Sequence, residues 1–250
     1  MNKFKLIACV FMLSAGPLTA QVQTDSLPAH FSQEEHMTDD PFARKWELSF
    51  HGGWSYRIAK LNEQVPPDFV DYAKRLRSGY HIGAGLDFFW RENMGVGLRY
   101  SRFGSREHEE YVTYTDIATG QVIGEGEMSD DIVVNFIAPA FNYRYIFPNR
   151  KAALQMHYAV GYLSYTNNPL FNGRYPVITA RSFGVSLGAD LVVPLGRRLA
   201  FSAGATLLGG NFGTLKVEYA GMTEIIKAKD NDERENVSRI DLSAGLRFKL

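Results

Sequence analysis

The sequence predicts an all-β chain closed into an eight-stranded antiparallel up-and-down transmembrane β-barrel. Three observations predict it. About eight segments alternate apolar and polar residues, long and short connections alternate between them, and the charged side chains of the segments share one face.

The segments come in order. In the first, Trp46, Leu48, Phe50, Trp54, Tyr56 and Ile58 fall on one face and Glu47, Ser49, His51, Ser55 and Arg57 on the other. The second sets Tyr80, Ile82, Ala84, Leu86 and Phe88 against His81, Gly83, Gly85 and Asp87. The third sets Val96, Leu98 and Tyr100 against Gly97, Arg99 and Ser101. In the fourth, Ile132, Val134 and Phe136 run into Ala138-Pro139-Ala140, and then Phe141, Tyr143 and Tyr145 take over the apolar parity. That switch predicts a bulge near Pro139, where a ladder donor is missing. Leu154 to Tyr162, Phe183 to Val193, Leu199 to Leu207 and Ile240 to Leu250 supply four more strands of the same kind. Each is around ten residues or longer, enough for a tilted crossing of a hydrocarbon core.

The connections are long, short, long, short, medium, short, long: 59–77, 91–93, 104–130, 148–151, 166–178, 194–198 and 209–237. A soluble sandwich has no reason to keep its long loops at one end. Outer-membrane barrels do so, with long extracellular loops and short periplasmic turns. An even strand number then puts both chain ends on the periplasmic side.

Charge placement agrees. Glu47, His81, Asp87, Arg99, His157, Asp190, Asp241 and Arg247 all lie on the face opposite the apolar one, which assigns them to the lumen. An eight-stranded interior is about wide enough to be filled by its own side chains. Buried charges need partners, so these residues are expected to form a network of Asp–Arg pairs with glycine at the tightest levels. The chain holds 17 Phe and 13 Tyr, and aromatics near the strand ends suit interfacial girdles.

Residues 1–20 read as a signal peptide: a basic start through Lys3 and Lys5, an apolar run from Leu6 to Ala15, and Leu18-Thr19-Ala20 before the cut. Leu6-Ile7-Ala8-Cys9 has the form of a lipobox, but about three apolar residues ahead of Cys9 are too few for an export signal. Cleavage after Ala20 leaves a mature chain without cysteine, which excludes disulfides and thiolate chemistry. Residues 21–44 are polar and lack a period, and are expected to form a flexible periplasmic segment ahead of a barrel over 45–250. Lys+Arg and Asp+Glu stand at 27 each, so bulk charge gives no argument for nucleic acid as a partner.

Gly83-Ala84-Gly85-Leu86-Asp87-Phe88-Phe89, Gly95-Val96-Gly97-Leu98-Arg99-Tyr100 and the closing run from Ile240 to Leu250 resemble the small outer-membrane barrels of Bacteroidetes, of the type labelled porin-like or PorT-like. The resemblance covers the chain from about Trp46 onward. It implies an outer-membrane location, lipids and lipopolysaccharide as surroundings, and a partner of unknown identity for the loops. It also implies that Leu246, Phe248 and Leu250 form the strand read by the outer-membrane insertion machinery, with leucine last where phenylalanine is commoner. A role in secretion or motility rests on that label alone.

Some barrels of this type are lipid A-modifying enzymes, which need a histidine beside a serine on the lipid face. The candidate is His157 with Ser164 or Tyr165, but the parity of His157 points it into the lumen. No catalytic set, cofactor motif or metal-ligand spacing is expected, and Gly83-x-Gly85 and Gly95-x-Gly97 lack the helix of a phosphate cradle. The acidic clusters Glu107, Glu109, Glu110, then Glu125, Glu127, Asp130, Asp131, then Asp230, Asp232, Glu233, Glu235 read as solvated loop charge with interspersed Arg106, Lys229 and Arg234. The main functional expectation is a non-enzymatic barrel whose loops interact or whose body supports the envelope, with a narrow porin-like channel as the first alternative and a lipid A-modifying enzyme as the second.

Overall fold

A computed structural model describes residues 40–59, 69–115, 122–171, 173–229 and 234–250. The expected signal peptide and residues 21–39 of the expected periplasmic segment lie outside the described residues. Among those described are twelve strands and one short helix. The strands are β1 (Trp46–Arg57), β2 (Ser78–Arg91), β3 (Met94–Thr115), β4 (Val122–Ile146), β5 (Ala153–Asn167), β6 (Leu170–Phe171), β7 (Val177–Pro194), β8 (Leu199–Phe212), β9 (Thr214–Tyr219), β10 (Met222–Lys227), β11 (Glu235–Asn236) and β12 (Arg239–Lys249). The helix α1 spans Val70–Arg75.

All pairings are antiparallel, and β7–β8 and β1–β12 contacts close the sheet into a ring through β1, β2, β3, β4, β5, β7, β8 and β12. The other four strands are short additions at the end where the long connections lie, the loop end. Following partners round the ring from Trp46 passes Phe88, Val96, Phe141, Tyr158, Leu187, Leu207 and Ile240 and returns to β1 at Tyr56. The return lies about ten residues beyond the start, a stagger that tilts the strands by roughly 40–45° to the barrel axis. Every residue on that path is apolar or aromatic and faces outward. The outer surface is accordingly a belt of exposed hydrophobics, with Trp46, Trp90, Tyr143, Tyr145 and Phe248 toward the turn end and Trp54, Tyr80, Tyr162 and Phe183 toward the loop end.

Two expectations are corrected. No bulge occurs at Pro139: β3 and β4 keep one register from Met94↔Tyr143 to Glu109↔Met128. Even-numbered residues of β4 face inward throughout, from Ile132, Val134 and Phe136 to Asn142 and Arg144. The apolar parity changes because the lumen itself changes character, from polar near the turns to apolar near the loops. Second, the segments 104–130 and 209–237 are largely strand. β3 and β4 run on together well past the belt, their registers shifting between Glu109 and Val112, and β9–β10 form a hairpin whose Ala220-Gly221 turn takes φ of 49° and 80°. Beyond the membrane belt both faces of a strand are solvated, so no apolar alternation marks it in the sequence.

Candidate functional site: the closed lumen

The interior is a filled column, and its polar half is built on one side chain in two along each ring strand. Glu47 on β1 accepts from two arginines: Arg247 Nη1 on β12 at 2.7 Å and Arg144 Nη2 on β4 at 2.8 Å. Arg247 also donates through Nη2 to Asp190 on β7 at 2.6 Å. Arg99 on β3 donates through Nη2 to Asp87 at 3.0 Å and to Asn142 Oδ1 at 2.8 Å, while Asn142 Nδ2 donates to the other Asp87 oxygen at 2.9 Å. Gln155 joins the two groups, its Oε1 accepting from Arg144 Nη2 at 3.3 Å and its Nε2 donating to Asp87 at 3.4 Å. One connected network thus ties β1, β2, β3, β4, β5, β7 and β12 across the lumen. Closer to the loops, Arg239 Nε lies 3.0 Å from Asp241, which also accepts from Ser55 Oγ, and Arg239 Nη2 donates to Ser101 Oγ at 2.9 Å.

Glycines make room for these acids. A Cβ on Gly97 would lie 2.0 Å from Asp87 Oδ1, and one on Gly204 would lie 2.2 Å from Asp190 Oδ1. A side chain at either place would push a carboxylate out of its arginine's reach.

Both ends are stopped. At the turn end Phe42 is only 1% exposed, with Lys249 Nζ 4.1 Å and the Arg144 guanidinium carbon 5.5 Å from its ring centroid. Arg144 also lies 3.8 Å over Phe89. Asp40 holds the approach by an ion pair to Arg150 and by accepting from the Phe42 backbone N–H at 3.0 Å. At the loop end Phe103, Val134, Phe136, Leu163, Leu208 and Phe212 fill the barrel, and Tyr72 and Leu76 at α1 close it from above. The Tyr72 hydroxyl donates to Asp130 Oδ2 at 2.9 Å; burial and the Asp130 charge together push its ionisation well above the usual phenol value. Between the stoppers lies a cavity of about 30 Å³, lined by His51, His81, His157, Arg99, Asp190 and Asp241 among others, with room for about one water.

Of the residues singled out from sequence, Glu47, Asp87, Arg99, Asp190 and Arg247 are placed within the connected network and Asp241 in the pair with Arg239. The histidines differ. His81 and His157 are buried with Nδ1 lacking any hydrogen-bond partner, so His157 has no charged partner at that atom. Sequence reasoning did not single out Arg144, Asn142, Gln155, Arg239 or Phe42. The first four carry the lumen parity of their strands, which was the available signal. Phe42 precedes the first strand and carries no periodic signal.

His157 faces the lumen while Ser164 lies on the outer face of the same strand, and Tyr165 is buried against Phe212 at 5.6 Å between ring centroids. Leu246, Phe248 and Leu250 face outward on or just beyond β12. Four of the acidic loop residues meet arginine: Glu107 and Glu109 with Arg75, Asp131 with Arg106 at 2.5 Å, Glu235 with Arg57 at 2.5 Å. Asp230, Asp232 and Glu233 lie outside the described residues. Among the described residues no three histidines, cysteines or carboxylates are placed to hold a metal ion.

No protein-family model matches the chain, and no curated protein matches its sequence. Solved structures do match its shape. A major outer membrane protein from Thermus thermophilus superposes with a TM-score of 0.55 at 12% identity, over 83% of this chain and 100% of that one. Neisserial surface protein A superposes with a TM-score of 0.50 at 11% identity, over 82% of this chain and 97% of that one. At such identities what is shared is the fold: the chain is built as small outer-membrane β-barrels are.

Proposed function

We propose that the protein is a non-enzymatic, non-conducting barrel of the outer membrane, exported by its signal peptide, whose long hairpins engage a partner outside the cell or whose body supports the envelope. The observation that carries this is the closed lumen: a cross-strand network of three arginines and three acids with the Arg239–Asp241 pair beside it, stopped by Phe42 at one end and by α1 over an apolar plug at the other. A conducting pore needs a continuous water path, and the buried charge network and the buried side chains at both ends stand across it. An acyl-transfer enzyme needs histidine and serine within reach of one another, and His157 and Ser164 stand on opposite faces.

In this reading the loop end is extracellular and both chain ends are periplasmic, as the alternation of long and short connections supports. The outward Leu246, Phe248 and Leu250 serve as the strand recognised by the insertion machinery. Cell fractionation, heat-modifiable gel mobility and single-channel recording in planar bilayers test the proposal together. The expected result is outer-membrane recovery, a mobility shift on heating and no stable conductance. Recovery in another fraction sinks the location, and steady channels sink the plug.

A further inference from the structure

Two rows of side chains cross the outer face of β3, β4, β5 and β7 just below the loop end. The lower row is Tyr100, Ile137, Tyr162 and Phe183, each opposite the next and each exposed, Phe183 by 77%. The upper row, two residues nearer the loops on every strand, is Arg102, Asn135, Ser164 and Arg181, again each opposite the next. An aromatic, apolar row thus lies under a row that is cationic at both ends and hydrogen-bonding between them.

The arginines are not used by the fold. Arg106, further along β3, is paired with Asp131. Among the described residues neither Arg102 nor Arg181 has an ion pair or a side-chain hydrogen bond, although both project from the margin of the apolar belt. Asn135 Oδ1 accepts from the Tyr100 hydroxyl at 2.9 Å, which fixes the amide and leaves its N–H donors free to face outward. The row spans three strand spacings, about 14 Å between its end Cα atoms.

We propose that this face binds one molecule of an anionic glycolipid carrying phosphate on its sugar headgroup. Arg102 and Arg181 take phosphate oxygens at the two ends, Asn135 and Ser164 take sugar hydroxyl or amide groups between them, and the acyl chains lie against Tyr100, Ile137, Tyr162 and Phe183. Planar guanidinium suits phosphate because it donates two parallel hydrogen bonds to it. Charge complementarity names the headgroup, and the apolar row directly beneath names a lipid rather than free phosphate. This inference rests on the reading of the chain as an outer-membrane barrel.

The test uses the full mature protein folded in detergent, with native mass spectrometry after addition of diphosphoryl lipid A, of the same lipid freed of phosphate, or of inorganic phosphate as competitor. R102Q/R181Q is compared with wild type, with R181Q alone in case the double variant does not fold, and with R198Q at the turn end as control. Heat-modifiable mobility is recorded for each, so loss of the barrel itself, which fails the underlying reading, is separated from loss of lipid. Wild type and R198Q are expected to retain the phosphorylated lipid, and R102Q/R181Q to lose about tenfold or more in retention, the worth of one or two charge-assisted hydrogen bonds. R181Q alone is expected to show a smaller loss. Equal retention of the phosphorylated and dephosphorylated lipids, or unchanged retention by both arginine variants, overturns the proposal. Displacement of the lipid by millimolar inorganic phosphate overturns its choice of a lipid source.

Discussion

Glu47 and Arg247, 200 residues apart in the chain, meet at 2.7 Å inside the barrel at the seam where the first and last ring strands pair. The seam joins the two ends of the sheet, which no short connection brings together. Backbone hydrogen bonds along it are generic. The ion pair is specific, because Glu47 must be on the inner face of β1 for Arg247 and Arg144 to reach it, and a one-residue slip would turn it out into lipid.

Replacing Glu47 by Gln leaves the buried Arg144 guanidinium without its carboxylate and Arg247 with Asp190 alone. Breaking a buried pair from one side costs about 3–5 kcal/mol. E47Q is therefore expected to lower the temperature at which the folded gel band converts to the unfolded one, and to raise sensitivity to urea. An unchanged conversion temperature would show that the network contributes nothing to holding the seam.

The expectation of a lumen lined by charge was legible because the barrel imposes a strict period of two, and Glu47, Asp87, Arg99, Asp190, Asp241 and Arg247 all obey it. The period has limits, and they are physical. Ile132, Val134 and Phe136 obey the inward parity but are apolar, because the loop half of the lumen packs against α1 rather than facing other charges. Read by polarity alone, they counterfeit a bulge at Pro139. Phe42 precedes the periodic region and is fixed by long-range contacts with Arg144 and Lys249, which no local pattern encodes.

Gly97 faces Asp87 so closely that any side chain collides with the carboxylate. G97V is expected to prevent folding into the heat-modifiable form. A suitable comparison is G209A, whose added Cβ meets only the Ser238 hydroxyl at 3.9 Å. G209A should fold as wild type does. Normal folding of G97V would mean Asp87 has an alternative position and that the network tolerates rearrangement.

Tyr72 gives the loop end a predictable alkaline weakness. Its hydroxyl proton is held by burial and by Asp130, so its folded-state ionisation lies above the ordinary phenol value of about 10. A raised value means the folded form keeps the proton that the released form gives up. The stabilisation is then complete below about pH 10 and declines as pH rises above it. Trypsin, which cuts after Lys74, Arg75 and Arg77, should reach this segment faster in wild type as pH is taken from about 9 to about 10.5. Y72F lacks the titrating group and should show a flat ratio relative to a model peptide cleaved under the same conditions. Parallel profiles for the two proteins would remove Tyr72 from the closure of the loop end.

Phe42 tests whether the two stoppers act independently. F42A deletes a ring on which Lys249 and Arg144 rest, and large-to-small changes at such buried sites cost about 3–5 kcal/mol. The turn end should loosen, with Lys249 becoming reactive toward amine-modifying reagents that spare it in the wild type. Conductance is a separate matter. The Glu47–Arg247–Asp190 chain and the apolar plug under α1 lie deeper in the same column, and neither uses Phe42 as a partner. F42A is accordingly expected to gain Lys249 labelling while still showing no stable channel in planar bilayers. A variant that conducts would mean Phe42 alone closes the lumen and that the charge network leaves a path for ions around it.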